Sequence, residues 1–107
     1  MAAFVHGSGG SKKYILALDV KRSFGNTRTN IYTMQKPGYV VGVYGGNNEN
    51  SDLRLYLNND EIAHATSGRT VSGSLSLLRE LNAGDTLAAK GNSNNWADVH
   101  LFFFEEA

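Results

Sequence analysis

Residues 71–107 read VSGSLSLLRELNAGDTLAAKGNSNNWADVHLFFFEEA, and this stretch decides the fold. It parses as a strand, a tight Ala83-Gly84-Asp85 turn, a second strand, an Asn-rich loop and an aromatic strand. In the aromatic strand Val99, Leu101 and Phe103 point one way and His100, Phe102 and Phe104 the other, because side chains alternate along an extended chain. A strand with one solvated face alternates apolar with polar residues. This one does not, so cover is expected on both sides: the protomer's own interior on one, a sister subunit on the other.

One part of the stretch reads two ways. Leu75, Leu78 and Leu81 stand at helical spacing, so residues 74–81 are compatible with two helical turns. The strand reading places a bulge between Leu77 and Leu78. It is preferred because the flanking segments are all β-like.

Working toward the N-terminus, Glu61–Thr66 is a short strand paired through an Asn58-Asn59-Asp60 turn with Leu53–Leu57, whose leucines share one face. Residues 45–51 form a long Gly/Asn loop. Tyr39–Tyr44 is an apolar strand whose interior Gly42 predicts a bulge or a close backbone approach. Lys36-Pro37-Gly38 is a turn. Arg28–Thr33 is a more polar strand, Gly25-Asn26 a turn, and Tyr14–Val20 the first strand. Residues 1–12 read as a flexible N-terminal arm and 13–107 as one domain.

Eight short strands broken by turns predict an all-β sandwich or barrel. If each strand crosses the body, the connections at 22–28, 45–51, 67–70 and 91–97 gather at one pole. The tighter ones at 34–38, 58–60 and 82–85 gather at the other, with both termini.

Composition narrows the function classes. Hydrophobic residues make up 41% and charged residues 19% of 107, a globular composition. Ten basic and ten acidic residues cancel, so no general pull toward nucleic acid or anionic membrane is expected. There is no cysteine, which removes disulfides and thiolate metal sites. No apolar run has the length of a membrane span, and no export signal is read at the start.

Five motifs in order resemble a known superfamily: Pro37-Gly38-Tyr39, the Leu-rich hairpin closing on Asn58-Asn59-Asp60, Ser72-Gly73-Ser74-Leu75, Leu81-Asn82-Ala83-Gly84-Asp85, and the terminal aromatic strand. Together, over about residues 28–107, the chain resembles the tumour-necrosis-factor-like jelly roll, including the complement globular heads and their phage and bacterial relatives. Here Tyr39 follows Gly38 directly, where the family places a residue between. The resemblance implies a single-domain jelly-roll sandwich forming a homotrimer with an apolar aromatic axis, used for binding or surface decoration rather than catalysis.

Candidate residues follow. Tyr39, Tyr44, His100, Phe102 and Phe104 are the candidate trimer interface, and Phe102→Asp is expected to yield monomer or aggregate. Trp96 among Asn94, Asn95 and Asp98 suits stacking against a sugar ring; the competing reading is an indole that plugs the barrel mouth. Asn47, Asn48, Glu49 and Arg69 complete the candidate ligand-binding loop pole. Oxygen donors in these loops (Asn50 and Asp52 included) are compatible with calcium, but the spacing is not that of an EF-hand, and no metal site or cofactor is assigned. His6, His64 and His100 are scattered, and no hydrolase, zincin or P-loop motif occurs, so no catalytic residue is assigned. If copies of His100 meet at an axis, its protonation is expected to weaken the assembly at acid pH.

The expectation is a non-enzymatic trimeric surface module: a phage head fibre, decoration or tail-tip protein held on a capsid, tail or other surface protein by its N-terminal arm and located on the virion surface. The alternative is a bacterial glycan-binding lectin or spore-surface-like head, located at the cell surface, taking a host glycan at the Asn-rich pole. Neither nucleic acid nor membrane insertion is expected. A cupin-like enzyme is the third class and needs a His/Glu cluster that the sequence does not show.

Overall fold

The computed structural model of the protein describes residues 12–46, 52–66, 73–91 and 97–107. The arm expected at residues 1–12 therefore falls outside the described residues, apart from Lys12. Eight strands run in chain order: β1 (Tyr14–Phe24), β2 (Thr29–Thr33), β3 (Gly38–Gly46), β4 (Asp52–Leu57), β5 (Asp60–Thr66), β6 (Gly73–Leu81), β7 (Thr86–Lys90) and β8 (Ala97–Glu106). They make two four-stranded antiparallel sheets, ordered β1-β8-β3-β6 and β2-β7-β4-β5. No helix occurs among the described residues.

The pairing is nested. β1 pairs with β8, β2 with β7, β3 with β6 and β4 with β5. Two further pairs, β3 with β8 and β4 with β7, close each sheet. The chain is thus one long antiparallel ribbon, doubled at the β4–β5 turn and folded over so that its two halves face each other. That turn is made by Asn58 and Asn59, both at positive φ, 51° and 81°. Asparagine tolerates this geometry, which suits a two-residue hairpin between twisted strands.

The inner faces pack on one core. Val40, Leu53, Leu55, Leu87, Val99, Leu101 and Phe103 are fully buried within it. The clean Leu53/Leu55 alternation and the Val99/Leu101/Phe103 series thus fill the space between the sheets. Burying such a side chain stabilises the fold by roughly 1.5–3 kcal/mol.

One expectation is corrected, and a second is met in one of its two forms. β6 is a strand, but its register against β3 runs without a shift, Gly42 opposite Leu77 and Val41 opposite Leu78. No bulge separates the two leucines. Leu77 leans on the core, whereas Leu78 points outward and is 48% exposed. Gly42 likewise sits in regular pairing. It marks close approach, since a Cβ there would lie 2.5 Å from the His100 carbonyl oxygen. The bulges that do occur lie between Leu16 and Leu18, between Asn30 and Tyr32, and between Leu55 and Tyr56 in its pairing with β5. β1 also extends beyond Val20 to Phe24, because β8 continues to pair with it as far as Ala97.

Among the described residues the turns at 34–38, 58–60 and 82–85 gather at one pole, as counted, while most of the connections at 45–51, 67–70 and 91–97 lie outside the described residues. At one pole the Met34 N–H donates to the Asp85 carbonyl at 2.8 Å, and the Gly84 N–H to the Met34 carbonyl at 2.8 Å. The Asn58 N–H reaches the Thr86 carbonyl there at 3.0 Å. At the same pole the Ala107 N–H donates to the Lys13 carbonyl at 2.8 Å, and Lys12 pairs with Glu106 at 2.9 Å. At the opposite pole the Gly91 N–H donates to the Gly25 carbonyl at 2.8 Å.

Candidate functional site

The two outer faces of the sandwich differ in chemistry. On the second sheet most outward positions are polar: Asn30 and Thr33 on β2, Thr86 and Lys90 on β7, Asp52 and Arg54 on β4, Glu61 and His64 on β5. Several of them pair with one another. Arg54 lies between Asp52 at 3.2 Å and Glu61 at 2.9 Å, and His64 Nε2 contacts the Asp52 carboxylate. Thr33 and Thr86 hydroxyls meet at 2.7 Å. The outward Tyr56 ring is covered by the Arg28 guanidinium at 4.1 Å.

The first sheet is the reverse. Its outward row on β8 is His100, Phe102 and Phe104, all half-buried. Register places Leu16 beside Phe104 on β1, Tyr39 beside Phe104 and Val41 beside Phe102 on β3, and Leu78 beside Val41 on β6. Leu16 is 51% exposed and Val43 is 56% exposed. The aromatic rings contact one another. Tyr39 stacks on Phe104, centroids 5.0 Å apart and planes 19° apart, and Tyr14 meets Tyr39 edge-on at 5.0 Å. The result is an apolar band across all four strands. A contiguous exposed apolar face of this kind marks an interaction surface in a soluble protein.

The polar groups on this face lie at its rim or are paired. His100 Nε2 stands 3.0 Å from the Asp19 carboxylate, and the His100 ring rests 4.4 Å from that of Phe102. Lys21 is opposite His100, and Glu80 is opposite Tyr39.

Of the residues singled out in sequence, Tyr39, His100, Phe102 and Phe104 come together on this face. Tyr44 does not join them. It is 3% exposed within the protomer core, covered without help from a partner chain. Its hydroxyl has no hydrogen-bond partner among the described residues, and burial pushes its ionisation above the ordinary range. Leu16, Val41, Val43 and Leu78 belong to the face but were not singled out. The signal for β3 was the same as for β8, an uninterrupted apolar run, and for β6 it was Leu77 beside Leu78.

The ligand-pole residues Asn47, Asn48, Glu49, Arg69, Asn94, Asn95 and Trp96 lie outside the described residues. Asp98 falls in β8, opposite Ser23 and Gly45. Asp52, considered among the oxygen donors for calcium, is engaged by Arg54 and His64. No group of three or more His, Cys, Asp or Glu fit to hold a metal occurs among the described residues.

No family model matches the chain, and no curated protein does. The resemblance to tumour-necrosis-factor-like domains therefore stands on its five motifs. Among solved structures, the chain is similar to one described as "Bacillus endospore appendages form a novel family of disulfide-linked pili". The two share 12% identity over 92% of each chain, with a TM-score of 0.50. That likeness is one of fold.

Proposed function

We propose that the chain is a non-enzymatic structural module that assembles with copies of itself at a cell or particle surface, burying the outer face of the first sheet between copies. The observation that carries this reading is the contrast between the two outer faces. One sheet presents Leu16, Val41, Val43, Leu78, Phe102 and Phe104 outward, and the other presents charged and hydroxyl side chains. Solubility alone favours the second pattern on both sheets.

The fold reading that fits best is a jelly roll. Its support is the nested pairing of first with eighth, second with seventh, third with sixth and fourth with fifth strand, the doubled ribbon of that architecture. The family resemblance argues for a closed trimer. The likeness in fold to a spore-appendage pilus protein argues for a bacterial surface appendage as the setting. That neighbour is described as disulfide-linked, whereas these 107 residues contain no cysteine and form no disulfide. A virion fibre or decoration protein is the second reading. It is favoured by the junction of Lys13 and Ala107 at one pole, which suits anchoring at that end.

Sedimentation equilibrium tests the assembly. The 11.6 kDa chain should run as a trimer, and Phe102→Asp should reduce it to monomer with an unchanged β-sheet spectrum. A parent chain that stays monomeric at high micromolar concentration would sink the proposal.

A further inference from the structure

The second sheet carries a feature that self-assembly through the first does not use. A depression of about 290 Å³ lies on its outer side, lined by Arg28, Asn30, Asn58, Asn59, Thr86 and Ala88. Its origin is a small residue in a central strand. Ala88 on β7 has Asn30 opposite it on β2 and Tyr56 opposite it on β4. A methyl group between two larger side chains leaves the floor low.

The walls are preorganised. Asn58 is fixed at both ends of its amide: Nδ2 donates to Asp85 Oδ1 at 2.9 Å, and Oδ1 accepts the Thr86 N–H at 2.9 Å. Asn59 is held by the left-handed turn, φ 81°. The Arg28 guanidinium carbon stands 4.1 Å from the centre of the Tyr56 ring, a cation–π contact that holds its N–H groups at the wall of the depression. One of them, on Nη2, donates to Asn59 Oδ1 across a long 3.3 Å. A guanidinium has five N–H donors, so most of this fork remains for a ligand.

The chemistry of the lining selects an occupant. Its one charge is positive, and no carboxylate lines it. The Asp85 carboxylate is occupied by Asn58 and by the Asn82 N–H at 2.7 Å. A guanidinium edge matches a carboxylate in two-point geometry. The remaining groups are amides and a hydroxyl, which pair with ligand hydroxyls. The Tyr56 face is taken by Arg28 and offers no stacking platform.

We propose that this depression binds a carboxylate-bearing monosaccharide unit, with Arg28 contacting the carboxylate and Asn30, Asn59 and Thr86 contacting hydroxyls. It lies on the sheet opposite the apolar face and stays open when that face is covered. It stands independently of the assembly reading, since the two rest on different sheets.

The test is a ¹⁵N-¹H NMR titration of the full chain with glucuronate, with acetate and glucose as separate arms. Glucuronate should shift the amides of Arg28, Asn30, Asn59 and Thr86, with a dissociation constant on the order of millimolar. Acetate and glucose should bind more weakly by about tenfold or more. Arg28→Ala should abolish the shifts. Asn30→Ala, which leaves the Arg28–Tyr56 pair in place, should weaken binding several-fold and guards against a folding defect in the first variant. Equal shifts from acetate would reduce the site to simple anion contact and overturn the saccharide assignment. Shifts that survive Arg28→Ala, or no shifts with glucuronate at tens of millimolar, would overturn the site itself.

Discussion

Phe103 and Phe104 are adjacent in sequence and face opposite environments: Phe103 is wholly buried between the sheets, while Phe104 stacks on Tyr39 on an outer face that the protomer leaves open. The same pair of side chains therefore reports separately on folding and on assembly. Phe103→Ala removes a core ring that also touches Tyr32 at 5.1 Å, and should lower the unfolding free energy by about 3–5 kcal/mol. Phe104→Ala should change the protomer's stability by much less and shift its association instead. Urea unfolding of both variants at a concentration where the chain is dissociated checks the first half, and sedimentation of Phe104→Ala the second.

Glu105 is a buried acid, 7% exposed, that ties the last strand to the turn before β3. Its Oε2 accepts the N–H of Gln35 at 2.5 Å and of Lys36 at 3.3 Å. Burial, and then the neighbouring Glu105 carboxylate, push the ionisation of Tyr32 upward. Glu105→Ala leaves two backbone donors without an acceptor and should cost about 1–3 kcal/mol. Glu105→Gln keeps an acceptor oxygen and should cost less. Denaturant midpoints rank the two.

Gly42 and Gly25 make a matched pair for a backbone test. A Cβ at Gly42 would fall 2.5 Å from the His100 carbonyl oxygen, whereas one at Gly25 would meet nothing within 4 Å. Gly42→Ala should force β3 and β8 apart and destabilise by about 1–3 kcal/mol. Gly25→Ala should be close to neutral. Thermal melts of the two alanine variants decide it.

Acid stability should depend in part on Asp52. Partial burial raises the pKa of its carboxyl, but the hydrogen bonds from His64 and then Arg54 outweigh this and hold it below its ordinary value of 3.8. A carboxyl lowered on folding contributes stability that is complete above its unfolded value and is lost as pH falls through its folded one. The parent should therefore lose stability below about pH 4, and Asp52→Asn should lose less over that range. Urea midpoints at about pH 6 and about pH 3 measure the difference. Exposure of the cluster keeps the effect modest.

Much of this architecture was legible in the chain. The period-2 leucines of β4, the Asn58-Asn59 turn and the Ala83-Gly84-Asp85 turn are local signals, and the eight strands and the pole of tight turns follow from them. The apolar character of both faces of β8 was legible too, since alternation is a property of the strand itself. What was not legible depends on neighbours. Adjacent Leu77 and Leu78 call for a bulge only if both face inward, and the place of Leu78 beside Val41 shows instead an outer face that is apolar across several strands. The apolar run 39–44 does not tell the side of Tyr44 from that of Tyr39, whereas pairing puts Tyr44 on the same side as Val40. The depression over Ala88 arises from three strands that are distant in sequence, and no single stretch of the chain announces it.

Because the 107 residues contain no cysteine, single introduced thiols report which outer face of the sandwich is covered. Val43→Cys places one thiol on the apolar outer face and Thr33→Cys places one on the polar outer face, both at positions exposed in the protomer. Maleimide labelling rates of the two single-cysteine chains, under native conditions and in denaturant, are the measurement. If copies cover the first sheet, Val43→Cys should label several-fold more slowly than Thr33→Cys in the native state and equally fast when unfolded. Equal native rates at a concentration of tens of micromolar would show that face open to water and contradict the account.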